Sequence, residues 1–199
     1  MKYSIIGFGP IGQALARAFA RKGIDVSVAT TRDPENFAPA AAAIGPTILP
    51  KTLAEAVEAD IVLLAVRFES HQDVAKALSS WKGKTIVDVT NTRVPPEELG
   101  GEPSSRVVAQ AFTDARLVKG FNHLGAAVLA QDPAVHGGKR VVFLASDDDD
   151  AAVEIGALAE KLGFSPIQLG GLSEGGLLVH ARGNSWGRLI FKDLVTFDG

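Results

Sequence analysis

The sequence predicts an α/β fold, a doubly wound and mainly parallel sheet with helices on both faces and a short helical C-terminal tail. Three observations carry this. Short β-branched runs alternate with Ala/Leu-rich stretches almost from end to end, as βα units require. The run Ile61-Val62-Leu63-Leu64-Ala65-Val66 is apolar without alternation, the pattern of a strand covered on both faces. A glycine-rich turn, Gly7-Phe8-Gly9-Pro10-Ile11-Gly12, ends the first apolar run and opens an amphipathic stretch.

Taken in order, strands are expected near residues 2–7, 24–30, 47–49, 60–66, 85–90, 116–121, 139–145 and 165–169. The first helix is marked by Ile11, Leu15, Ala18 and Phe19 at helical spacing and ends at Gly23. A late helix is expected over 151–162. The four aspartates 147–150 ahead of it read as dipole-complementing residues, worth about 0.3–1 kcal/mol each, in preference to a metal site. Residues 95–103, rich in Pro, Glu and Gly, form a loop and not a domain joint. From Gly170 the pattern changes to Gly-Gly-Leu-Ser-Glu-Gly-Gly, followed by an amphipathic tail carrying Trp186, Leu189, Ile190, Phe191 and Leu194. The chain therefore reads as one domain, 1–199, with segment 170–199 packing on its own sheet or on a second copy in a homodimer.

The formal net charge of -3, with Lys and Arg scattered, argues against a nucleic-acid surface or an anionic-membrane anchor. No apolar stretch approaches the about 18–20 residues of a membrane span. Cysteine is absent, which excludes disulfides and thiolate chemistry; with no leader ahead of the first strand, a cytoplasmic location is expected. No His/Asp/Glu cluster has metal-ligand spacing. A nucleophile elbow is missing, and the only tyrosine, Tyr3, falls in the first strand, which disfavours a short-chain dehydrogenase.

G-x-G-x-x-G alone is a weak pattern, but here it lies between a strand and a helix at the start of a βαβ unit, the context of a Rossmann-type dinucleotide site. Gly7 suits the tight turn, Gly9 the approach of a pyrophosphate to the backbone, and Gly12 close helix–strand packing. Pro10 suits the first helical turn, whose amides point at the diphosphate; Phe8 and Ile11 complete the loop. NAD-selective sites place an acid after the second strand, whereas this chain has Thr30, Thr31 and Arg32. A guanidinium and hydroxyls there fit a ribose 2′-phosphate, at about 1.5–3 kcal/mol per charge-assisted hydrogen bond, so NADP(H) is the expected cofactor. A one-residue shift of the loop would put Asp33 in that place.

The glycine loop, the Thr31-Arg32 pair, Asp88-Val89-Thr90-Asn91, Val118-Lys119-Gly120-Phe121-Asn122, and the glycines Gly170, Gly171, Gly175 and Gly176 together resemble the NADP oxidoreductase family that includes the coenzyme F420 (deazaflavin) dependent enzymes. That family is related to the reductase domains of ferric-reducing membrane proteins. The resemblance runs over nearly the whole chain. It implies hydride delivery from NADPH to a flavin, a deazaflavin or another small-molecule electron acceptor.

Ligands of open α/β sheets bind beyond the carboxyl ends of the strands. Those ends offer Ala65 and Val66 closing the fourth strand with Arg67 and Phe68 after it, Asn91 and Thr92 after the fifth, Asn122 and His123 after the sixth, and the turn Gly170–Leu172. Asn91 and Asn122 are candidates for the nicotinamide ribose or carboxamide, with Asx turns as the alternative. His123 is the catalytic candidate, able to hydrogen-bond an acceptor that gains negative charge; a structural role is its alternative. His71 is a weaker candidate, and His136 and His180 read as loop and tail residues. Flavin-type hydride transfer needs little acid–base machinery, because the cofactors carry the chemistry. A second function class is a protein that senses NADP(H) without turnover and acts through a partner. A small imine or keto-acid reductase is a weaker third, for want of a long helical C-terminal domain.

Overall fold

Along the run 61–66 the side chains divide between two cores. Ile61 and Leu63 join the cluster that holds Leu15, Phe19 and Ile155, while Val62 and Leu64 join that of Val74, Trp81 and Val108. A strand buried on both faces has no position for a polar residue, which is why the alternation is missing.

The computed structural model describes residues 1–181 and 194–197. Its strands are β1 (Tyr3–Ile6), β2 (Val26–Ala29), β3 (Ile48–Pro50), β4 (Ile61–Leu64), β5 (Thr85–Asp88), β6 (Arg116–Gly120), β7 (Ala134–Val135), β8 (Gly138–Ser146), β9 (Ser165–Gln168) and β10 (Val195–Phe197). Its helices are α1 (Pro10–Arg21), α2 (Ala38–Ala42), α3 (Leu53–Ala56), α4 (His71–Ala75), α5 (Ser104–Ala111), α6 (Ala126–Leu129), α7 (Asp149–Lys161) and α8 (Gly175–Leu178).

The strands join one sheet in the order β10-β8-β6-β5-β4-β1-β2-β3, with β7 and β9 also pairing with β8. Strands β1 to β6 are parallel, and β8 returns antiparallel to β6. The order reverses at β1, which lies between β2 and β4, so the ligand crevice of a doubly wound sheet falls at the carboxyl end of β1. Helices α1 and α7 contribute to one core. Helices α3, α4 and α5 contribute to the other, around Trp81, whose indole Nε1 donates to Ala75 O at 3.0 Å and whose ring meets Phe112 edge-on at 4.9 Å.

All eight expected strands form. Two short ones, β7 and β10, were not expected, and both pair antiparallel with the first residues of β8. The helix expected at 151–162 begins at Asp149, because Asp148 is its N-cap and accepts from Ala151 N at 2.8 Å. Asp147 lies outside the helix, accepting from Leu172 N at 2.8 Å and pairing with Arg106. The expected amphipathic tail falls mostly outside the described residues; before it the Gly-rich stretch forms the short α8, after it Val195–Phe197 are strand, and Leu194 packs on Val141, Phe143 and Val179. Trp186, Leu189, Ile190 and Phe191 lie outside the described residues.

Candidate functional site

A turn that leaves one strand and enters a helix within three residues needs space and unusual dihedrals. Gly7 has φ +103° and its N–H donates to Ala29 O at 2.8 Å. A Cβ on Gly7 would stand 2.4 Å from Ala65 O, and one on Gly12 would stand 1.9 Å from Gly7 O. Both glycines are thus required by backbone packing. Gly9 differs, because a Cβ there would meet nothing within 4 Å. The space above it is open, as the approach of a diphosphate to the backbone requires. Gly9 is also the N-cap of α1 and Pro10 its first residue, so the first-turn amides face that opening. Phe8 turns inward onto Phe37, with ring centroids 5.7 Å apart, and Ile11 packs against the core.

Around this turn lies a cleft of about 410 Å³. Gly7, Phe8 and Gly9 line it from β1, Thr30, Thr31 and Arg32 from β2, and Ala65, Val66 and Arg67 from β4. Nine of the expected cofactor residues therefore converge. Pro10, Ile11 and Gly12 stand behind them in α1. A second hollow of about 310 Å³ is shared by Thr30, Thr31, Arg32 and Asp33. Only Arg32 of the Arg32–Asp33 pair also lines the main cleft, so the loop is not shifted toward the acid. The cause is local: Thr30 Oγ1 accepts from Arg32 N at 3.0 Å, and Asp33 instead precedes the 3₁₀ turn Pro34–Asn36. Among the described residues, the guanidiniums of Arg32 and Arg67 have no ion-pair or hydrogen-bond partner.

The sequence reading did not anticipate Leu53, Ser70, Asp73 and Val74, which line the cleft from α3 and the start of α4. One signal was available. Thr52 and Glu55 form a capping box, legible as Thr-x-x-Glu, which fixes where α3 starts and so where Leu53 points. The Thr52 amide and hydroxyl hold the Glu55 carboxyl down at about 2.

Asn91 and Asn122 do not line the cleft; they bind each other. Asn91 Nδ2 donates to Asn122 O at 2.7 Å, and Asn122 Nδ2 donates to Asn91 Oδ1 at 3.0 Å and to Val179 O at 2.8 Å. Below them Lys119 and Asp88, register partners on β6 and β5, form an ion pair at 3.0 Å with side chains 1% and 0% exposed. Lys119 Nζ also donates to Thr90 O, while Asp88 Oδ1 accepts from Thr90 N at 2.9 Å. Burial lowers the Lys119 pKa and the Asp88 charge opposes that shift.

His123 follows β6 at the same edge of the sheet, half-buried, with Nε2 3.3 Å from Val141 O and its ring 4.8 Å from that of Phe143. It is not among the residues lining the cleft. His71 is buried, with Nδ1 bonded to Phe68 O. His136 is an exposed turn residue at φ +48°. His180, read as an ordinary tail residue, is instead 2% exposed. Its Nδ1 accepts from Ser104 N at 3.2 Å, so Nε2 carries the proton and donates to Val94 O at 3.1 Å. Burial lowers its pKa; Lys119 adds to that shift, and the Val94 bond and Glu97 oppose it. No group of three or more His, Asp or Glu among the described residues could hold a metal. No helix among them is long and apolar enough to cross a membrane.

Comparison with known proteins bears on this geometry. Residues 2–92 match the family described as NADP oxidoreductase, coenzyme F420-dependent. A hypothetical protein of Sinorhizobium meliloti superposes with a TM-score of 0.90 at 33% identity, over 100% of this chain and 96% of that one. An Arthrobacter protein described as an F420-dependent NADP reductase gives 0.71 at 24% identity, over 86% of each chain. Rat metalloreductase STEAP3 is 26% identical over 174 residues, which is 86% of this chain and 34% of that protein. The chain thus spans about a third of the curated metalloreductases it matches.

Proposed function

The chain belongs to the NADP oxidoreductase, coenzyme F420-dependent family, and from that premise we propose that it transfers a hydride between NADP(H) and a flavin-type or deazaflavin-type electron acceptor. One observation supports this above the others: a single cleft holds both an open glycine backbone at Gly9 and an uncommitted guanidinium at Arg32.

The residues fit the dinucleotide. The amides opening α1 meet the diphosphate. Arg32 binds the 2′-phosphate in bidentate fashion, with the Thr30 and Thr31 hydroxyls beside it, and Arg67 covers the diphosphate from the β4 side. Leu53 and Val74 supply apolar wall for the adenosine half. When bound, the coenzyme supplies two electrons and a hydrogen nucleus, as hydride, from C4 of its nicotinamide, and the acceptor takes its balancing proton from solvent. The chain's own part is to orient the two rings and exclude water between them. The Asn91–Asn122 brace shapes the wall on the β5–β6 side, and His123 contacts the acceptor.

The mutual bonding of Asn91 and Asn122 and the bond of His123 to β8 leave few free polar groups for chemistry. That favours, as a second reading, a protein that binds NADP(H) and signals without turnover. Loss of NADPH absorbance at 340 nm with a panel of flavins, quinones and ferric chelates separates the two: oxidation above the enzyme-free rate supports the enzyme, and tight binding without it supports the sensor. Arg32→Ala weakens NADPH about tenfold or more while leaving NADH little changed; equal losses for both would overturn the 2′-phosphate assignment. A cytoplasmic homodimer joined by the C-terminal tail belongs to the same proposal, and a monomer by light scattering at micromolar concentration would count against it.

A further inference from the structure

Eight arginines fall within the described residues, and most of those away from the carboxyl edge of the sheet are engaged. Arg21 donates to Ala130 O, Arg106 pairs with Asp147, Arg116 with Glu154, and Arg140 donates to Asp132 O. Four have no side-chain partner among the described residues: Arg17, on the exposed face of α1, and Arg32, Arg67 and Arg93. The last three follow β2, β4 and β5 at the one edge where a doubly wound sheet binds its ligands. On the proposed reading the coenzyme brings two anionic centres to this edge, the 2′-phosphate and the diphosphate, and Arg32 and Arg67 answer them. Arg93 is one guanidinium more than the dinucleotide needs.

The loop that carries it is held still. Between Thr90 and Val94 every residue but Arg93 is tied. Thr90 is bound by Asp88 and Lys119, and the Asn91 side chain by Asn122. Thr92, 3% exposed, accepts from Val94 N at 3.0 Å, and Val94 O accepts from His180. Asn91 and Arg93 are both exposed, but the Asn91 amide is spent on Asn122, whereas the Arg93 guanidinium has no partner among the described residues. The carboxylates of Glu97 and Glu98, on the next turn, are not in pairing range of it. A planar fork on an immobilised loop is a preorganised receptor for an oxyanion. The Asn91 brace leans the loop toward β6, on the far side of the switch point from the Arg32 end.

We propose that Arg93 is the specificity determinant for the electron acceptor, and that the acceptor is a flavin-type molecule bearing a phosphate, which Arg93 binds. This rests on the hydride-transfer reading but is tested without turnover. FMN and riboflavin share one ring system and differ in the phosphate, so each is titrated, by flavin fluorescence, into protein saturated with NADP⁺. FMN is expected to bind at least about tenfold more tightly than riboflavin. Arg93→Ala removes that advantage and leaves riboflavin and NADPH affinity unchanged, Arg93→Lys keeps part of it, and Arg17→Ala keeps all of it. Equal affinity for the two flavins, binding of neither, or an equal loss in Arg17→Ala overturns the proposal. NADPH oxidation by a non-phosphorylated acceptor under any of those outcomes leaves the hydride-transfer reading standing.

Discussion

Lys119 and Asp88 permit a test in which chemistry, not bulk, decides the result. Replacing Lys119 with Met keeps most of the volume but strips the charge from a group that is 1% exposed and leaves Asp88, 0% exposed, as a buried carboxylate. Its Oδ2 then has no cation, and only the Thr90 N–H on Oδ1 remains. Breaking one side of a fully buried pair costs about 3–5 kcal/mol. For a chain of this size each kcal/mol moves the melting point by about 2–4 °C, so Lys119→Met should melt roughly 6–20 °C below the parent. Asp88→Asn should cost less. The lysine sheds its proton more readily in this place and still donates to Thr90 O. The double variant Lys119→Met/Asp88→Asn, with no charge left inside, should recover much of the loss. Urea or thermal unfolding followed by circular dichroism measures all three. A single Lys119→Met within about 1 kcal/mol of the parent, or a double variant as unstable as the sum of the singles, would refute the electrostatic account.

Two further outcomes are expected. The His180 pKa is lowered in the folded chain, below the ordinary value near 6.5 that it regains on unfolding. The stability that depends on its neutral ring is therefore whole above about pH 6.5 and is lost as pH falls through and below that value. The melting point of His180→Gln should depend less on pH between 7.5 and 5.5 than that of the parent, and an unchanged slope would contradict the assignment. His123→Ala should lower turnover with flavin acceptors while leaving NADPH affinity within about twofold; an unaltered rate removes His123 from the acceptor site.

What could be read from the sequence was whatever depends on near neighbours. The glycine turn and the double burial of β4 are each set by a handful of consecutive residues, and each stands where expected; the late helix also forms, though it starts two residues before the expected 151. Arg32 was legible for the same reason, since Thr30, two residues away, fixes its loop. What escaped depends on partners far along the chain. Nothing local marks Lys119 as the mate of Asp88; the parallel register of β5 and β6 makes them so. His180 reads as an ordinary tail residue until Val94 and Ser104, 86 and 76 positions away, close on its two nitrogens. Asn91 and Asn122 looked like two separate ligand contacts because a separation of 31 positions conceals that they touch. Strand β10 was missed because three residues pairing with Gly138, Lys139 and Arg140 leave no periodic trace.

Strand β8 carries an uninterrupted buried ribbon from Val141 to Ala145, yet it is flanked by β6, β7, β9 and β10. The strands standing outermost are short, and β3 and β9 each contain a proline, so little main chain is offered to another molecule. Genetic excision of the last 35 residues would strip β9 and β10 away and bare the sticky middle of the sheet. Such a fragment should build up as fibrous aggregate in the cell, whereas the intact chain hides the same ribbon from its neighbours.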